Sequence, residues 1–170
     1  MQSLMMDYPL TLQHFYNRAV RLFPRKEVVT QTDSGLHRYT YGDWGKRTAQ
    51  LSNALHRAGV KEGDRIATFG WNTYRHLELY FGIPCMGAVL HTLNIRLFAD
   101  QLIYIINNAE DSMIFVDGDL VSILESLSDK LTTVKQYVIM SDAPAATGKL
   151  QPSVDLAFLI PNGMSVPWPL

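Results

Sequence analysis

Apolar residues recur at helical spacing in two segments near the start of the chain. The first, Thr11–Phe23, and the second, Thr40–Gly59, each carry a single apolar stripe. Thr40 and Asp43 have the spacing of a capping box, and Gly59 suits a helix end because glycine tolerates a positive φ. The stripes consist of Leu12, Phe15, Tyr16, Ala19 and Phe23 in the first segment and of Trp44, Thr48, Leu51, Leu55 and Ala58 in the second. The pattern predicts two amphipathic helices.

A β-hairpin is predicted between these helices. Glu27–Thr32 and Leu36–Tyr39 are short segments of strand-forming residues. The triplet Asp33-Ser34-Gly35 separates them and suits a tight reversal.

Beyond residue 63 the pattern changes to short apolar runs that alternate with helical segments. The predicted strands are Asp64–Gly70, Ala88–Thr92, Met113–Asp117 and Tyr137–Met140, and the predicted helices are Tyr74–Met86, Ala99–Ala109 and Leu120–Leu131. The strands are continuously apolar, as in parallel sheets that are covered on both faces. This order predicts an α/β fold, with a mainly parallel sheet flanked by helices.

The regular pattern ends after Met140. Five of the eight prolines lie in the last 27 residues, together with Gly148 and Gly163. We therefore expect an α/β domain over residues 1–142 and an irregular tail over residues 143–170.

Composition narrows the possible partners and the compartment. The formal net charge is −1, so there is no basic surplus for nucleic acid, and no charge run indicates a polybasic membrane patch. Cys85 is the only cysteine and cannot form an internal disulfide. The start of the chain lacks the features of a signal peptide, and no apolar stretch is long enough to span a membrane. We expect a cytoplasmic protein.

Motifs that carry chemistry are scarce. Thr147-Gly148-Lys149 fits a phosphate-binding loop poorly, because Ala143 stands where glycine is needed and Leu150 replaces Ser or Thr. Neither a GxGxxG nor a GxSxG motif is present, and no two histidines have a ligand-like short spacing. Cys85 lies in an apolar segment and is interpreted as a small core residue. The residues predict no catalytic group and no metal site.

Polar and aromatic side chains do follow two of the predicted strands. They are Trp71, Asn72, His91, Asn94 and Arg96. In open α/β sheets, ligands bind beyond the carboxyl ends of the strands, so these five residues are the candidates for a substrate-binding or interdomain edge. The alternative is structural: Asn72 and Asn94 could cap helices, and Arg96 could pair with Asp100.

The same part of the chain resembles the opening of the adenylate-forming (AMP-binding) ligases. The resemblance rests on Tyr39-Thr40-Tyr41, Gly63-Asp64-Arg65-Ile66-Ala67, Trp71-Asn72 with His76-Leu77-Glu78 and Tyr80-Phe81, Gly87–Asn94 with Arg96-Leu97, Tyr104–Asp111 and Val134–Met140. It covers about Leu10 to Ser141, and the order and spacing of the pieces carry it. Within that superfamily the chain most resembles the medium- and long-chain fatty-acyl–CoA ligases.

The resemblance implies the amino-terminal subdomain of an enzyme that joins a fatty acid to AMP and then transfers the acyl group to CoA. ATP, Mg²⁺ and CoA are the implied cosubstrates of the whole enzyme. The family's loop ending in Pro-Lys-Gly, its adenine- and ribose-binding motifs, its hinge and its carboxy-terminal lysine find no match in this sequence. No catalytic residue can therefore be carried over, and we expect none of these cosubstrates to bind this chain tightly.

Three functional interpretations follow. The first is a catalytically inactive amino-terminal part of a fatty-acyl–CoA ligase. The second is a non-catalytic module that mediates homodimerisation, since some ligases of this family pair through their amino-terminal parts. The third is a separate nucleotide-binding domain of flavodoxin type, which would need a phosphate-binding loop that the sequence does not offer.

Overall fold

The computed structural model describes residues 8–32, 34–141 and 150–156. It contains five α-helices and seven strands within these ranges. In chain order they are α1 (Leu12–Leu22), β1 (Glu27–Thr32), β2 (Gly35–Thr40), α2 (Tyr41–Arg57), β3 (Arg65–Phe69), α3 (Tyr74–Gly82), β4 (Val89–Thr92), α4 (Ala99–Ala109), β5 (Met113–Asp117), α5 (Val121–Glu125), β6 (Gln136–Met140) and β7 (Ser153–Asp155).

The amino-terminal hairpin and the capped helix after it are confirmed. β1 and β2 pair antiparallel, with Glu27 opposite Thr40. The backbone N–H of Asp43 donates to the Thr40 hydroxyl, and the Thr40 N–H donates back to the Asp43 carboxylate, each at 3.2 Å. Trp44, Thr48, Leu51 and Leu55 are buried as predicted, whereas Ala58 is exposed because it lies beyond the last turn of α2.

The predicted parallel sheet is also confirmed. Its order is β4-β3-β5-β6-β7, and every neighbouring pair runs parallel. Side chains of β5 alternate between two cores on opposite faces of the sheet. Ile114 and Val116 join Leu102, Ile106 and Leu124 on one face, while Met113 and Phe115 join Leu51, Leu55 and Leu79 on the other.

Two predicted helices are shorter in the structure. α3 ends at Gly82, and Pro84–Met86 forms a 3-10 turn, because proline lacks an N–H and clashes with the preceding helical turn. The helix predicted over Leu120–Leu131 is regular only at α5. Ser126 and Ser128 donate from their hydroxyls to the carbonyls of Ile123 and Glu125, at 2.7 and 2.9 Å. Such local bonds compete with helical pairing.

The segment predicted to be irregular contributes a fifth strand to the parallel sheet. β7 pairs with β6, with Val154 opposite Val138, so the prediction was wrong for Ser153–Asp155. Three residues are too few to show a strand period in the sequence, and the strand forms because β6 offers an unpaired edge. The poor phosphate-loop candidate Thr147-Gly148-Lys149 lies outside the described residues.

Candidate functional site

A cleft of about 650 Å³ lies at the carboxyl ends of β3, β5 and β6. The chain leaves β3 for β4 on one side and then crosses to β5 on the other, so the strand order reverses at β3. Ligands of open α/β sheets bind at such a reversal. The cleft is lined by Gln31, Thr32, Ser34, Trp71, Thr73, Arg75, Asp117, Gly118, Asp119, Met140 and Ser141.

Trp71 is held at this cleft by two carboxylates, one from the last residue of β5 and one from the segment that follows it. Its backbone N–H donates to Asp117 at 2.7 Å, and its indole N–H donates to Asp119 at 2.9 Å. Asp117 is buried, while about half of the Trp71 side chain remains exposed. The ring is therefore fixed in position and still presents a face to the cleft.

The cleft also contains a buried cation. Arg75, in the first turn of α3, is 8% exposed, and its guanidinium carbon lies 4.6 Å from the centre of the Tyr74 ring. This distance allows a cation–π interaction. One guanidinium, two carboxylates and an aromatic face can bind a polar group through charge and stacking. That group can belong to a ligand or to another part of a protein.

Gly70 connects β3 to the cleft and leaves no room for a side chain. A Cβ atom at this position would lie 2.8 Å from the Asp117 carboxylate oxygen and 3.0 Å from the Met140 methyl group. Both neighbours are buried, so neither can move aside freely.

We expect Gly70→Ala to lower the free energy of unfolding by about 1–3 kcal/mol, because overpacking displaces Asp117 from the Trp71 N–H. Urea denaturation followed by circular dichroism measures the loss. Gly118→Ala is the matched control, since the nearest atom that its Cβ would meet lies 3.4 Å away. An equal loss in both variants would contradict the proposed crowding at Gly70.

Asn72 faces a different, smaller cavity of about 260 Å³ between α3 and the hairpin. His76 lines the same cavity and is buried, and burial lowers the pKa of its imidazole. Its Nδ1 lies 3.2 Å from the Trp71 carbonyl oxygen and its Nε2 lies 3.0 Å from the Thr68 hydroxyl. Nδ1 donates to the carbonyl, and in the neutral ring that burial favours, Nε2 accepts from the Thr68 hydroxyl. The histidine fixes the loop that carries Trp71.

His91 lies outside the cleft. Its Nδ1 is 2.7 Å from the carboxylate of Asp111, which is fully buried just before β5 begins. Asp117 stands at the opposite end of β5. Burial raises the pKa of the Asp111 carboxyl, and the hydrogen bond from His91 opposes that rise. This pair links β4 to the segment just before β5.

Asn94 and Arg96 are exposed on the loop after β4 and do not line the cleft. The Asn94 side-chain oxygen accepts from the Arg96 backbone N–H at 2.9 Å, which is an Asx turn. Asn94 does not cap α4, whose N-cap is Phe98. Among the described residues, Arg96 forms no ion pair, so the alternative pairing with Asp100 is not seen.

Of the five predicted edge residues, the structure thus places only Trp71 in the main cleft. Sequence reasoning missed Arg75, Asp117 and Asp119. A signal for the two carboxylates was present, because Asp117-Gly118-Asp119 follows an apolar strand just as Trp71-Asn72 does. Arg75 gave no signal, since an arginine in a predicted helix is normally solvated.

The described residues offer no site for a metal ion. No three side chains of His, Cys, Asp or Glu within these ranges are grouped closely enough to hold one. None of the helices in the described part of the chain is long and apolar enough to cross a bilayer.

Comparison with known proteins identifies the family. Residues 16–161 match the family described as AMP-binding enzyme. The chain is 45% identical over 141 residues to a long-chain-fatty-acid–CoA ligase of Thermus thermophilus, and 35% identical over 142 residues to a medium-chain-fatty-acid–CoA ligase of Ectopseudomonas oleovorans. These alignments cover 82% and 83% of this chain and 26% of each relative, so the chain spans about a quarter of their length.

A solved structure shows the same fold. The crystal structure of an anthranilate CoA ligase in complex with anthranoyl-AMP superposes with a TM-score of 0.78 at 19% identity, covering 91% of this chain and 29% of that one. The match to the family model extends over most of the chain, and the two fatty-acid ligases agree with the sequence resemblance. This chain belongs to the AMP-binding enzyme family.

Proposed function

We propose that this chain is the amino-terminal part of an ATP-dependent fatty-acyl–CoA ligase. The whole enzyme would join a fatty acid carboxylate to the α-phosphate of ATP, releasing pyrophosphate, and would then transfer the acyl group from AMP to the thiol of CoA. The observation that carries the proposal is the 45% identity to a long-chain-fatty-acid–CoA ligase over 141 residues.

In that enzyme, the described residues would position other parts rather than carry out the chemistry. The cleft presents Trp71, Arg75 and the two carboxylates on a rigid sheet edge, where a further part of the enzyme or a ligand can dock. We keep Trp71, Asn72, His91, Asn94 and Arg96 as the proposed substrate-binding or interdomain edge, and the cleft supports Trp71 most directly.

The residues present do not fit a site for ATP with Mg²⁺. The cleft has carboxylates and one guanidinium but no grouping of three possible metal ligands within residues 8–32, 34–141 and 150–156. No glycine-rich phosphate loop occurs in the sequence either. We therefore derive no catalytic step for this chain's own side chains.

Purified residues 1–170 are expected to release no pyrophosphate that depends on added fatty acid, because the described residues supply neither a phosphate cradle nor a metal site. A coupled pyrophosphate assay with decanoate or palmitate, ATP, Mg²⁺ and CoA measures this. The Thermus thermophilus ligase serves as the positive control. Turnover above the background without fatty acid would contradict the prediction.

A chimera tests the function itself. The 141 matched residues of the Thermus thermophilus ligase are replaced by the corresponding residues of this chain. If the chain is the equivalent part of such a ligase, the chimera is expected to retain fatty-acid-dependent pyrophosphate release. A chimera that folds, as judged by circular dichroism, but shows no such activity would argue against the proposal.

A further inference from the structure

Trp71 is an aromatic residue that is fixed in position although it is 47% exposed. Its backbone N–H and its indole N–H donate to Asp117 and Asp119, at 2.7 and 2.9 Å. Its carbonyl oxygen accepts from Nδ1 of His76 at 3.2 Å. A side chain that is ordered before binding loses little further freedom when a ligand arrives. The ring is therefore prepared for a contact that the described residues do not supply.

Only the face of the Trp71 ring is free for that contact. The indole N–H is the single hydrogen-bonding group of a tryptophan side chain, and here it is occupied by the Asp119 carboxylate. The remaining surface is the π-face, which carries the negative part of the ring quadrupole. Among aromatic side chains, tryptophan attracts a cation over its face most strongly. The exposed part of Trp71 thus favours a positively charged group.

The exposed charge beside this ring is negative. The charged residues that line the cleft are Arg75, Asp117 and Asp119, which sum to −1 (1 − 2). Arg75 and Asp117 are 8% and 5% exposed, so the charge that reaches solvent is that of Asp119. One oxygen of the Asp119 carboxylate accepts from the indole. Within residues 8–32, 34–141 and 150–156, no cation forms an ion pair with Asp119.

We propose that the cleft binds a guanidinium group, carried by an arginine side chain of a polypeptide or by a small alkylguanidine. A guanidinium is planar, so it can stack on the Trp71 ring while the N–H groups on its edge donate to the second Asp119 oxygen. An ammonium group has no flat face for this stacking. The cleft volume of about 650 Å³ is in the range of small-molecule sites, and its place at the reversal of strand order is where such sites form.

An anionic ligand fits the same cleft less well. The guanidinium of Arg75 is enclosed, and its carbon already lies 4.6 Å from the centre of the Tyr74 ring. A phosphate or carboxylate entering from solvent would first meet the exposed carboxylate of Asp119, and like charges oppose association. The cation that is visible in the cleft therefore supports its structure, and the accessible groups select a ligand of positive charge.

The experiment is a titration of the full chain with methylguanidinium, followed by ¹H–¹⁵N NMR at constant ionic strength. Trp71→Phe assigns the indole N–H resonance of Trp71. We expect this resonance to shift saturably in the millimolar range, since one exposed cation–π contact and one exposed ion pair are each weak. The affinity is expected to fall as salt is raised. Methylurea has the same shape without the charge and is expected to cause no saturable shift.

Two variants separate the charge from the ring. Asp119→Asn keeps an oxygen that can accept from the indole N–H but removes the charge, and it is expected to bind about fivefold more weakly. Trp71→Leu, followed through the backbone N–H of Gly118, is expected to bind about two- to fivefold more weakly. The matched control is Asp100→Asn, which makes the same change of charge at an exposed residue of α4 that does not line the cleft. It is expected to bind like the wild type.

The source of the guanidinium follows from a second ligand, N-acetylargininamide. Tighter binding of this compound than of methylguanidinium identifies an arginine of a polypeptide as the occupant, and the reverse order identifies a small alkylguanidine. These measurements use the chain itself and do not depend on ligase activity.

Three results would overturn the proposal. They are the absence of a saturable shift with methylguanidinium, an equal shift with methylurea, and an equal loss of affinity in Asp119→Asn and Asp100→Asn. If Trp71→Leu does not fold, as judged by circular dichroism, the comparison with methylurea and the pair of aspartate variants still decide.

Discussion

Replacing Arg47 by methionine is expected to lower the free energy of unfolding by about 3–5 kcal/mol, because the change leaves a buried carboxylate without its partner. Arg47 in α2 donates from Nε and Nη2 to the two carboxylate oxygens of Glu78 in α3, at 2.6 and 3.2 Å. The Glu78 side chain is 1% exposed, so water cannot replace the lost guanidinium.

The loss is expected to depend on pH. Burial raises the pKa of Glu78 above its usual value, and Arg47 opposes that rise. A carboxyl whose folded-state pKa is raised contributes stability that is present below its unfolded pKa and is lost as pH rises through the folded value. Without Arg47 the folded pKa rises further. The deficit of Arg47→Met is therefore expected to be larger at about pH 8 than at about pH 5.

Urea denaturation of both proteins at the two pH values measures this effect. The matched control is Arg38→Met, which removes an arginine whose pair with Glu27 is more than half exposed on both sides. Exposed pairs contribute about 0–1 kcal/mol, so the control should change little at either pH. Equal losses for Arg38→Met and Arg47→Met would contradict the role assigned to the buried pair.

Truncating Phe115 to alanine is expected to cost about 3–5 kcal/mol of unfolding free energy, as other buried phenylalanines do. Phe115 is fully buried in the middle of β5, between β3 and β6. Its side chain packs with Leu51, Leu55 and Leu79 on the face covered by α2 and α3. The cavity would open at the centre of the sheet, where neighbouring backbone is fixed by pairing on both sides.

Thermal and urea unfolding measure this change, and Phe115→Leu provides a milder variant that retains most of the volume. Phe98→Ala is the control for the residue type, because Phe98 is 80% exposed and surface changes are usually within about 0.5 kcal/mol. A loss below about 1 kcal/mol for Phe115→Ala would show that the core on this face of the sheet is less closely packed than described.

The fold was largely predictable because its strands are short apolar runs that nothing in the sequence interrupts. β5 was predicted with the bounds that the structure shows, and so was α4. The predictions were wrong where local chemistry competes with the apolar pattern, as at Ser126 and Ser128. They were also wrong at β7, which exists because of the edge that it joins and not because of its own residues.

The candidate site was less predictable, because a cleft is made by residues from distant segments. Trp71 was found from its position after an apolar strand. The hairpin turn at Ser34 lines the same cleft, yet nothing in the sequence indicates which end of the sheet the hairpin approaches. His91 illustrates the converse: its position suggested a ligand, whereas Asp111, twenty residues later, engages its ring.

The parallel arrangement of β3 also has a consequence for synthesis on the ribosome. Its partner β5 begins at Met113, 48 residues after Arg65 (113 − 65). At about 5–20 residues per second, one edge of β3 therefore stays unpaired for roughly 2–10 seconds after it is made. The hairpin of β1 and β2 closes within microseconds by comparison. During that interval Ile66–Phe69 exposes unpaired backbone groups and apolar side chains. A chaperone, or the same segment of a neighbouring nascent chain, can reach them.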